Sequence, residues 1–290
     1  MAGQSAVCLD RLDRRASGRT LIMGVVNVTP DSFSDGGDHF ALAAAIAGGR
    51  RLASEGADIL DIGGESTRPG ATPVDEATER ARVLPVIEAL AGNGPLLSID
   101  TYKASVADAA VLAGVRIVND VTGLRRDPAI ANVAAAHDAA LVIGHWEPDT
   151  RHEASALLDA ILRFFDASIR MARAAGVADR RMILDPGIGF GKNTTEENVA
   201  VLAGLDRLVA LGYPVLAGAS RKRFIGALTG RQPKERLAGS LAAHILAATR
   251  GASIIRAHDV AAHREGLAVA DAILAADTPK TTGEPWPTAS

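Results

Sequence analysis

The feature that most limits the possible folds is an eightfold alternation of short apolar segments with longer helical ones. The first apolar segment, residues 21–26, is unbroken by polar residues, which is typical of a strand buried on both faces of a parallel sheet. Seven more follow, at residues 57–62, 96–100, 116–119, 140–145, 181–185, 214–218 and 253–256. Eight strand-plus-helix units predict an α/β fold, a closed (β/α)8 barrel of the TIM type, whereas open doubly wound sheets usually have about five to seven strands.

The alternation predicts a single catalytic domain over residues 21–277 of the 290. Residues 1–20 precede the first unit and are predicted to cover the lower mouth of the barrel. Residues 278–290 are rich in Pro, Thr and Gly, a composition that predicts a disordered tail.

Charge and hydropathy limit the kinds of partner that the chain is expected to bind. The net charge of −3, with dispersed Lys and Arg, argues against nucleic-acid binding, which needs a basic surface. No apolar run reaches the length of a membrane span, so no membrane partner is expected. The single cysteine, Cys8, follows no signal-like segment, and we therefore expect a cytoplasmic protein.

The residues that end the predicted strands are unusually polar. In barrels of this kind the active site lies at the carboxyl ends of the strands. Burying unpaired polar groups costs about 1–3 kcal/mol each, so a purely structural barrel would have little reason to gather them in one mouth. They are Asn27, Asp61, Asp100, Asn119, His145, Asp185, Ser220, Arg256 and His258.

Two chemical groups stand out in this set. Asp100, Asn119 and Asp185 could accept hydrogen bonds from a flat polar heterocycle, although each could instead cap the next helix. Arg68, which follows the second predicted strand, forms with Arg256 and His258 a cationic group that suits a phosphate or diphosphate; a lone Arg or His would more often be a surface residue or a satisfied polar group.

Three loops add weaker signals. The loop of residues 29–37, with its two aspartates, three hydroxyls and phenylalanine, is either a functional loop or a long surface turn. Residues 185–193 resemble a phosphate-binding glycine loop but lack the spacing of the known fingerprints. Ser220 and Lys222 precede a helical turn, where a carboxylate could bind. A divalent ion beside a diphosphate would be Mg²⁺ with oxygen ligands.

Seven motifs, in order along the chain, resemble those of the dihydropteroate synthases, a family of pterin-binding barrels. The resemblance extends from about residue 21 to residue 276. The motifs are Asn27–Gly37, Gly63–Gly70, Ser98–Thr101, Asn119–Asp120, Asp185–Lys192, Ser220–Lys222 and Ile255–Asp259.

The resemblance implies a transferase of folate biosynthesis, which condenses p-aminobenzoate with 6-hydroxymethyl-7,8-dihydropterin diphosphate and releases pyrophosphate. It also implies a homodimer, with Mg²⁺ as cofactor. The pterin would be held by Asp100, Asn119, Asp185, Gly189, Phe190 and Lys222. The diphosphate would be held by Asn27, which is also the metal ligand, and by Thr67, Arg68, Arg256 and His258. The p-aminobenzoate site would comprise Phe33, Pro69 and Ser220.

The family mechanism implied by the resemblance is dissociative: the bond to diphosphate breaks first, and the arylamine then attacks a cationic methylene. Its catalytic residues would be Asp35, Asp100, Lys222 and Arg256. The loops at residues 28–39 and 63–73 would close over the site and exclude water.

One stretch departs from the family pattern. Family members usually carry Met-His-Met at the end of the fifth strand, where this chain has Gly144, His145 and Trp146. Two alternatives therefore stay open. One is a non-catalytic or weakly active pterin-binding paralogue. The other is a barrel like the methyltetrahydrofolate–corrinoid methyltransferases, which would have less need for Arg68, Arg256 and His258.

Overall fold

The barrel predicted from the alternation is confirmed. The computed structural model describes residues 9–28, 37–66, 72–92, 94–147 and 153–277, with backbone only for residues 37–40, 154, 155 and 277. All strand pairs are parallel, in the order β6-β5-β4-β3-β2-β1-β8-β7, and a bridge between Leu184 and Val215 joins β6 to β7 and closes the barrel. The strands are β1 Leu21–Asn27, β2 Ile59–Gly63, β3 Leu96–Asp100, β4 Ile117–Asp120, β5 Ala140–Gly144, β6 Met182–Asp185, β7 Leu216–Ala217 and β8 Ile254–Ala257.

Helices follow the strands as the alternation predicts, with one break. The helical segment between β6 and β7 is divided at Gly204, the residue type with the lowest helix propensity after proline. None of the described helices is long and apolar enough to cross a membrane. The helices are α1 Arg14–Ser17, α2 Gly37–Ser54, α3 Glu76–Leu90, α4 Ala104–Leu112, α5 Ala129–Ala136, α6 Ala154–Ala174, α7 Thr195–Ala203, α8 Leu205–Val209, α9 Arg223–Thr229, α10 Leu237–Thr249 and α11 Val260–Asp277.

Alternation along each strand separates two apolar layers. One layer, which includes Leu60 and Ile99, packs between the sheet and the surrounding helices. The other fills the barrel interior. It consists of Leu9, Leu12, Leu21, Met23, Ile59, Ile117, Ala140, Val142, Ile183, Leu216 and Ile254.

The next inward-facing position on several strands is polar. Since side chains two residues apart share a face, Asp61 follows Ile59 inward, Asn119 follows Ile117, and Asp185 follows Ile183. The apolar interior thus ends in a polar layer at the carboxyl ends of the strands, which forms the mouth of the barrel.

The opposite end of the barrel is covered by residues before β1. Leu9 and Leu12 are buried in the same apolar cluster as the inward-facing side chains of the strands. Arg14 lies beside them and donates to the Asp271 carboxylate of α11 at 2.7 Å. These contacts position the amino-terminal segment below the barrel, remote from the mouth.

Candidate active site

The centre of the mouth is an ion-paired group built around Asp61. The Arg256 guanidinium donates through Nε to Asp61 Oδ2 at 2.7 Å and through Nη2 to Asp100 Oδ2 at 2.9 Å. Asp61 also accepts from Ser98 Oγ at 2.6 Å and from Asn119 Nδ2 at 3.1 Å. Side chains from β3, β4 and β8 therefore converge on one carboxylate of β2.

Burial shifts the acidity of this group. It raises the pKa of Asp100 to about 7, against the lowering effect of Arg256 and assisted by Asp61 and Glu79. It also raises the pKa of Asp185. For Arg256, burial alone would lower the pKa, but Asp61 and Asp100 raise it. The mouth thus holds a permanent cation between carboxyl groups, of which Asp100 can exist protonated near neutral pH.

Two buried acceptor atoms in the mouth lack partners. Asp100 Oδ1 and Asn119 Oδ1 make no hydrogen bond within the part of the chain that the structure describes. An unpaired buried acceptor costs about 1–3 kcal/mol, and native proteins rarely tolerate it without a functional reason. Neighbouring acceptors on β3 and β4 suit a ligand with adjacent N–H and amino donors.

A cation and an aromatic ring form the next part of the mouth. Lys222 Nζ lies 4.3 Å from the centre of the Phe190 ring, and a Cβ atom added at Gly189 would meet Lys222 Cδ at 3.0 Å. Gly189 has a φ of +81°, which also favours glycine. Burial, followed by repulsion from Arg256, lowers the pKa of Lys222 to about 8. The glycine lets the lysine stem lie flat against this loop.

Ser220 and His258 contact each other across the turns that follow β7 and β8. Ser220 Oγ accepts from the His258 backbone N–H at 3.2 Å and lies 2.9 Å from His258 Nδ1. Burial, and then the charge of Arg256, lowers the pKa of His258 to about 4. The ring is therefore neutral near pH 7 and offers an anion a hydrogen bond rather than a full positive charge.

Comparisons with known proteins agree with this site. Residues 23–258 match the family model for pterin-binding enzymes. The dihydropteroate synthase of Bacillus subtilis is 48% identical over 243 residues, which cover 83% of this chain and 84% of that protein. The chain belongs to the dihydropteroate synthases. It is accordingly an enzyme of the transferase class, and the family resemblance of its motifs is confirmed.

Two solved structures of dihydropteroate synthase from Xanthomonas albilineans share the fold. One, with 4-aminobenzoic acid, is 52% identical, covers 89% of this chain and 94% of its own, and has a TM-score of 0.84. The other, in complex with 7,8-dihydropteroate, is 47% identical and has a TM-score of 0.82; the match covers 93% of this chain and 96% of that one.

Several predicted site residues of this dihydropteroate synthase lie together in the mouth. Asp100, Asn119 and Arg256 belong to the ion-paired group around Asp61, and Lys222 is close enough for the charges of Arg256, Asp185 and Asp100 to act on its pKa. Gly187 N–H donates to Asp185 Oδ1 at 2.8 Å, and the charge of Lys222 acts on the pKa of that carboxyl group. The individual binding roles of these residues stay predictions.

Five predicted site residues lie outside the described residues. Asp35 and Phe33 belong to the loop after β1, and the other three to the loop after β2. Those three are Thr67, Arg68 and Pro69. Their assignments to catalysis, diphosphate and p-aminobenzoate stay predictions.

Asn27 stands at the carboxyl end of β1 and is exposed. No group of three or more His, Cys, Asp or Glu side chains that could hold a metal occurs among the described residues. Mg²⁺ commonly takes only one or two protein ligands and completes its coordination with substrate phosphates and water. The amide oxygen of Asn27 fits such a shared site, but the described residues do not form a metal site of their own.

His145 does not point into the mouth, contrary to the prediction from its position at a strand end. Its ring packs edge-on against Phe164 of α6, with centroids 4.7 Å apart, and Lys192 Nζ lies 2.7 Å from its Nδ1. The reason is parity: Val142 faces inward, so His145, three residues further, faces outward. His145 thus ties β5 to the loop after β6.

Asp61 is predicted from the sequence only as one of the polar strand ends, with no role of its own. The structure makes it the hydrogen-bonding partner of Ser98, Asn119 and Arg256. The available signal was its spacing of two residues from Ile59 on a strand whose other residues are apolar.

Proposed function

We propose that the chain joins 6-hydroxymethyl-7,8-dihydropterin diphosphate to p-aminobenzoate, forming 7,8-dihydropteroate and releasing pyrophosphate. The observation that carries the proposal is the pair of unpartnered acceptors, Asp100 Oδ1 and Asn119 Oδ1, because a pterin edge presents adjacent N–H and amino donors. The two Xanthomonas albilineans structures, which contain 4-aminobenzoic acid and 7,8-dihydropteroate, support the same substrate pair.

The arrangement of charge suits a dissociative reaction. The C–O bond between the pterin methylene and diphosphate breaks, pyrophosphate leaves with the bonding electrons, and the arylamine nitrogen attacks the methylene and loses one proton. Asp61, Asp100 and Asp185 would stabilise the cationic pterin, and Arg256 the departing anion. No protein nucleophile is required.

Asn27 would hold Mg²⁺, which would supply neutralisation of part of the leaving group's charge. This chain's own contribution there is an exposed amide at the end of β1. A pyrophosphate assay in chelator and after return of Mg²⁺ tests the requirement, and equal rates in both would contradict it.

We also propose a cytoplasmic homodimer. Exposed Leu246 of α10 and exposed Val269 and Ile273 of α11 offer apolar surface to a second copy. A sedimentation experiment that finds only monomer at micromolar concentration would contradict the dimer.

The decisive experiment supplies both substrates with Mg²⁺ and measures pyrophosphate and 7,8-dihydropteroate, which should appear in equal amounts. The variant Asn119→Ala should raise the KM for the pterin diphosphate roughly tenfold, through loss of a buried hydrogen bond, with little change in the KM for p-aminobenzoate. If the wild-type protein binds the pterin diphosphate but releases no pyrophosphate, the chain is a pterin-binding protein without this activity.

A further inference from the structure

The turns that follow β7 and β8 need support from elsewhere in the fold. They carry Ser220 and Lys222 on one side and His258 on the other. Arg221, between the first two, has a φ of +58°, a conformation that side-chain-bearing residues rarely adopt. Such a turn persists only where surrounding contacts hold it.

Two buried histidines provide a continuous hydrogen-bonded connection between these turns. His244 of α10 and His263 of α11 are both fully buried. The Ala219 backbone N–H, next to Ser220, donates to His244 Nε2 at 2.8 Å. His244 Nδ1 lies 2.8 Å from His263 Nε2, and His263 Nδ1 lies 2.7 Å from the carbonyl oxygen of Asp259, next to His258.

The direction of every proton in this chain follows from its two ends. Because His244 Nε2 accepts from Ala219, its proton must be on Nδ1, which donates to His263 Nε2. His263 must then carry its own proton on Nδ1, which donates to the Asp259 carbonyl oxygen. Both rings are neutral with the proton on Nδ1, since the partner of one nitrogen determines the state of the other.

The surroundings favour the neutral state of both rings. Burial lowers the pKa of His244 well below its usual value, and the charge of His263 acts in the same direction. Burial also lowers the pKa of His263, against the raising effect of its bond to Asp259. An added proton would go to an Nε2 atom, where it would face the Ala219 N–H if it were on His244 or the His244 Nδ1–H if it were on His263. Either position would place two donors on one hydrogen bond and break the chain.

Other contacts hold the same turn from outside the pair. Arg221 Nε donates to Asp259 Oδ2 at 3.0 Å, Arg221 N–H donates to Ser240 Oγ at 2.9 Å, and Arg236 donates to the Arg221 carbonyl oxygen at 3.1 Å. The Arg221, Arg236 and Asp259 side chains are partly exposed, whereas Ser240 is as fully buried as the histidines. The histidine pair is therefore a buried part of a connection whose partly exposed part is the Arg221–Asp259 ion pair.

We propose that His244 and His263 are positioning residues, which fix the distance between the turns after β7 and β8 and thereby hold Ser220 against His258 in the substrate site. The effect on substrate rests on the proposed function, since Ser220 is there assigned to p-aminobenzoate. The hydrogen-bonded chain itself does not depend on that assignment.

The first test reads the ring nitrogens directly. In the full-length protein labelled with ¹⁵N-histidine, long-range ¹H–¹⁵N correlation spectra at pH 7 should show two rings protonated on Nδ1 and unprotonated on Nε2, and His244→Gln and His263→Gln should each remove one of them. Two rings protonated on Nε2, or rapid exchange between tautomers, would overturn the proposal whether or not the protein has synthase activity.

The second test separates positioning from general stability. His244→Gln places an amide oxygen where it can still accept from Ala219, whereas His244→Leu leaves that N–H unpaired; both remove the donor to His263. We expect His244→Leu to raise the KM for p-aminobenzoate roughly tenfold, with kcat within about threefold. His244→Gln should raise that KM by no more than about threefold.

His137→Gln is the matched control, because His137 bonds to Asp108 on the outside of the barrel at 3.0 Å. It should leave both kinetic constants unchanged. Equal KM values for folded His244→Leu and wild type, or a His137→Gln effect as large as that of His244→Leu, would overturn the proposal. If His244→Leu does not fold, the proposal is tested by the tautomer spectrum and by the KM of His244→Gln for p-aminobenzoate. Failure of the proposed function would instead appear as an inactive wild-type protein.

Discussion

Asp61 is the buried side chain that connects three other polar side chains of the mouth. It is fully buried and accepts from Ser98, Asn119 and Arg256. Arg256, although partly exposed, depends on Asp61 and Asp100 for its orientation. A substrate that binds Asp100 and Asn119 therefore meets groups whose positions Asp61 has already determined.

Asp61→Asn should weaken both folding and catalysis. Loss of one partner from a buried ion pair costs roughly 3–5 kcal/mol of stability. Because Arg256 then loses its fixed orientation, kcat/KM for the pterin diphosphate should fall by at least about tenfold. Urea denaturation and steady-state kinetics measure the two effects.

The matched control lies just before the amino end of the same strand. Asp58 is buried, accepts from Arg19 and Arg264, and also accepts from the Ile22 N–H at 2.8 Å, far from the mouth. Asp58→Asn should cost similar stability but leave kcat/KM within about threefold. Equal kinetic losses in both variants would show that Asp61 acts only through stability.

Strand β5 contributes backbone rather than a side chain to the mouth. A Cβ atom at Gly144 would lie 2.6 Å from Val121 Cα and 2.8 Å from its carbonyl carbon. The turn that occupies this space is held by Asp120, which accepts from the Thr122 and Leu124 N–H groups at 2.8 and 2.6 Å. The methionine usual in the family at this position would collide with that turn.

Gly144→Ala should therefore destabilise the protein by about 1–3 kcal/mol, the usual cost of overpacking a filled site. Gly48→Ala, in the middle of α2 where an added Cβ meets nothing within 4 Å, should instead stabilise by about 0.5–1 kcal/mol, because alanine favours helix. Thermal or urea unfolding of the two variants measures the difference. If Gly144→Ala is instead more stable than the wild-type protein, the turn at residues 121–124 can move to accommodate the added Cβ atom at little cost.

The barrel as a whole separates stability from chemistry along its axis. The interior is apolar near the amino ends of the strands, where Leu9 and Leu12 join the cluster, and polar at the carboxyl ends. In barrels of this kind the lower face contributes to stability and the upper face to catalysis.

Leu12→Ala tests the separation of stability from catalysis along the barrel axis. Leu12 is 2% exposed, so its truncation should cost about 2–4 kcal/mol through lost burial and a cavity, while kcat/KM of the remaining folded protein stays within about twofold. Leu112, which is 72% exposed on α4, provides the control, and Leu112→Ala should change neither property. A large fall in kcat/KM for Leu12→Ala would contradict the separation.

The barrel and part of its site could be predicted because they depend on local patterns. Apolar runs of strand length, alternating with helical segments, identify the fold, and position at a strand end identified Asp100 and Asn119. His145 shows the limit of this reasoning: it ends a predicted strand, yet it faces outward against Phe164, since one residue of register changes the face.

Pairings between distant residues could be decided only by the folded chain. Arg256 and Asp61 are 195 positions apart, and nothing local to either residue specifies the other. The sequence around His244 likewise does not indicate its partners, which the structure shows to be Ala219 and His263. Periodicity fixes which face a side chain occupies, whereas barrel closure and register fix its neighbours; the neighbours in turn set burial, pKa and the direction of each proton.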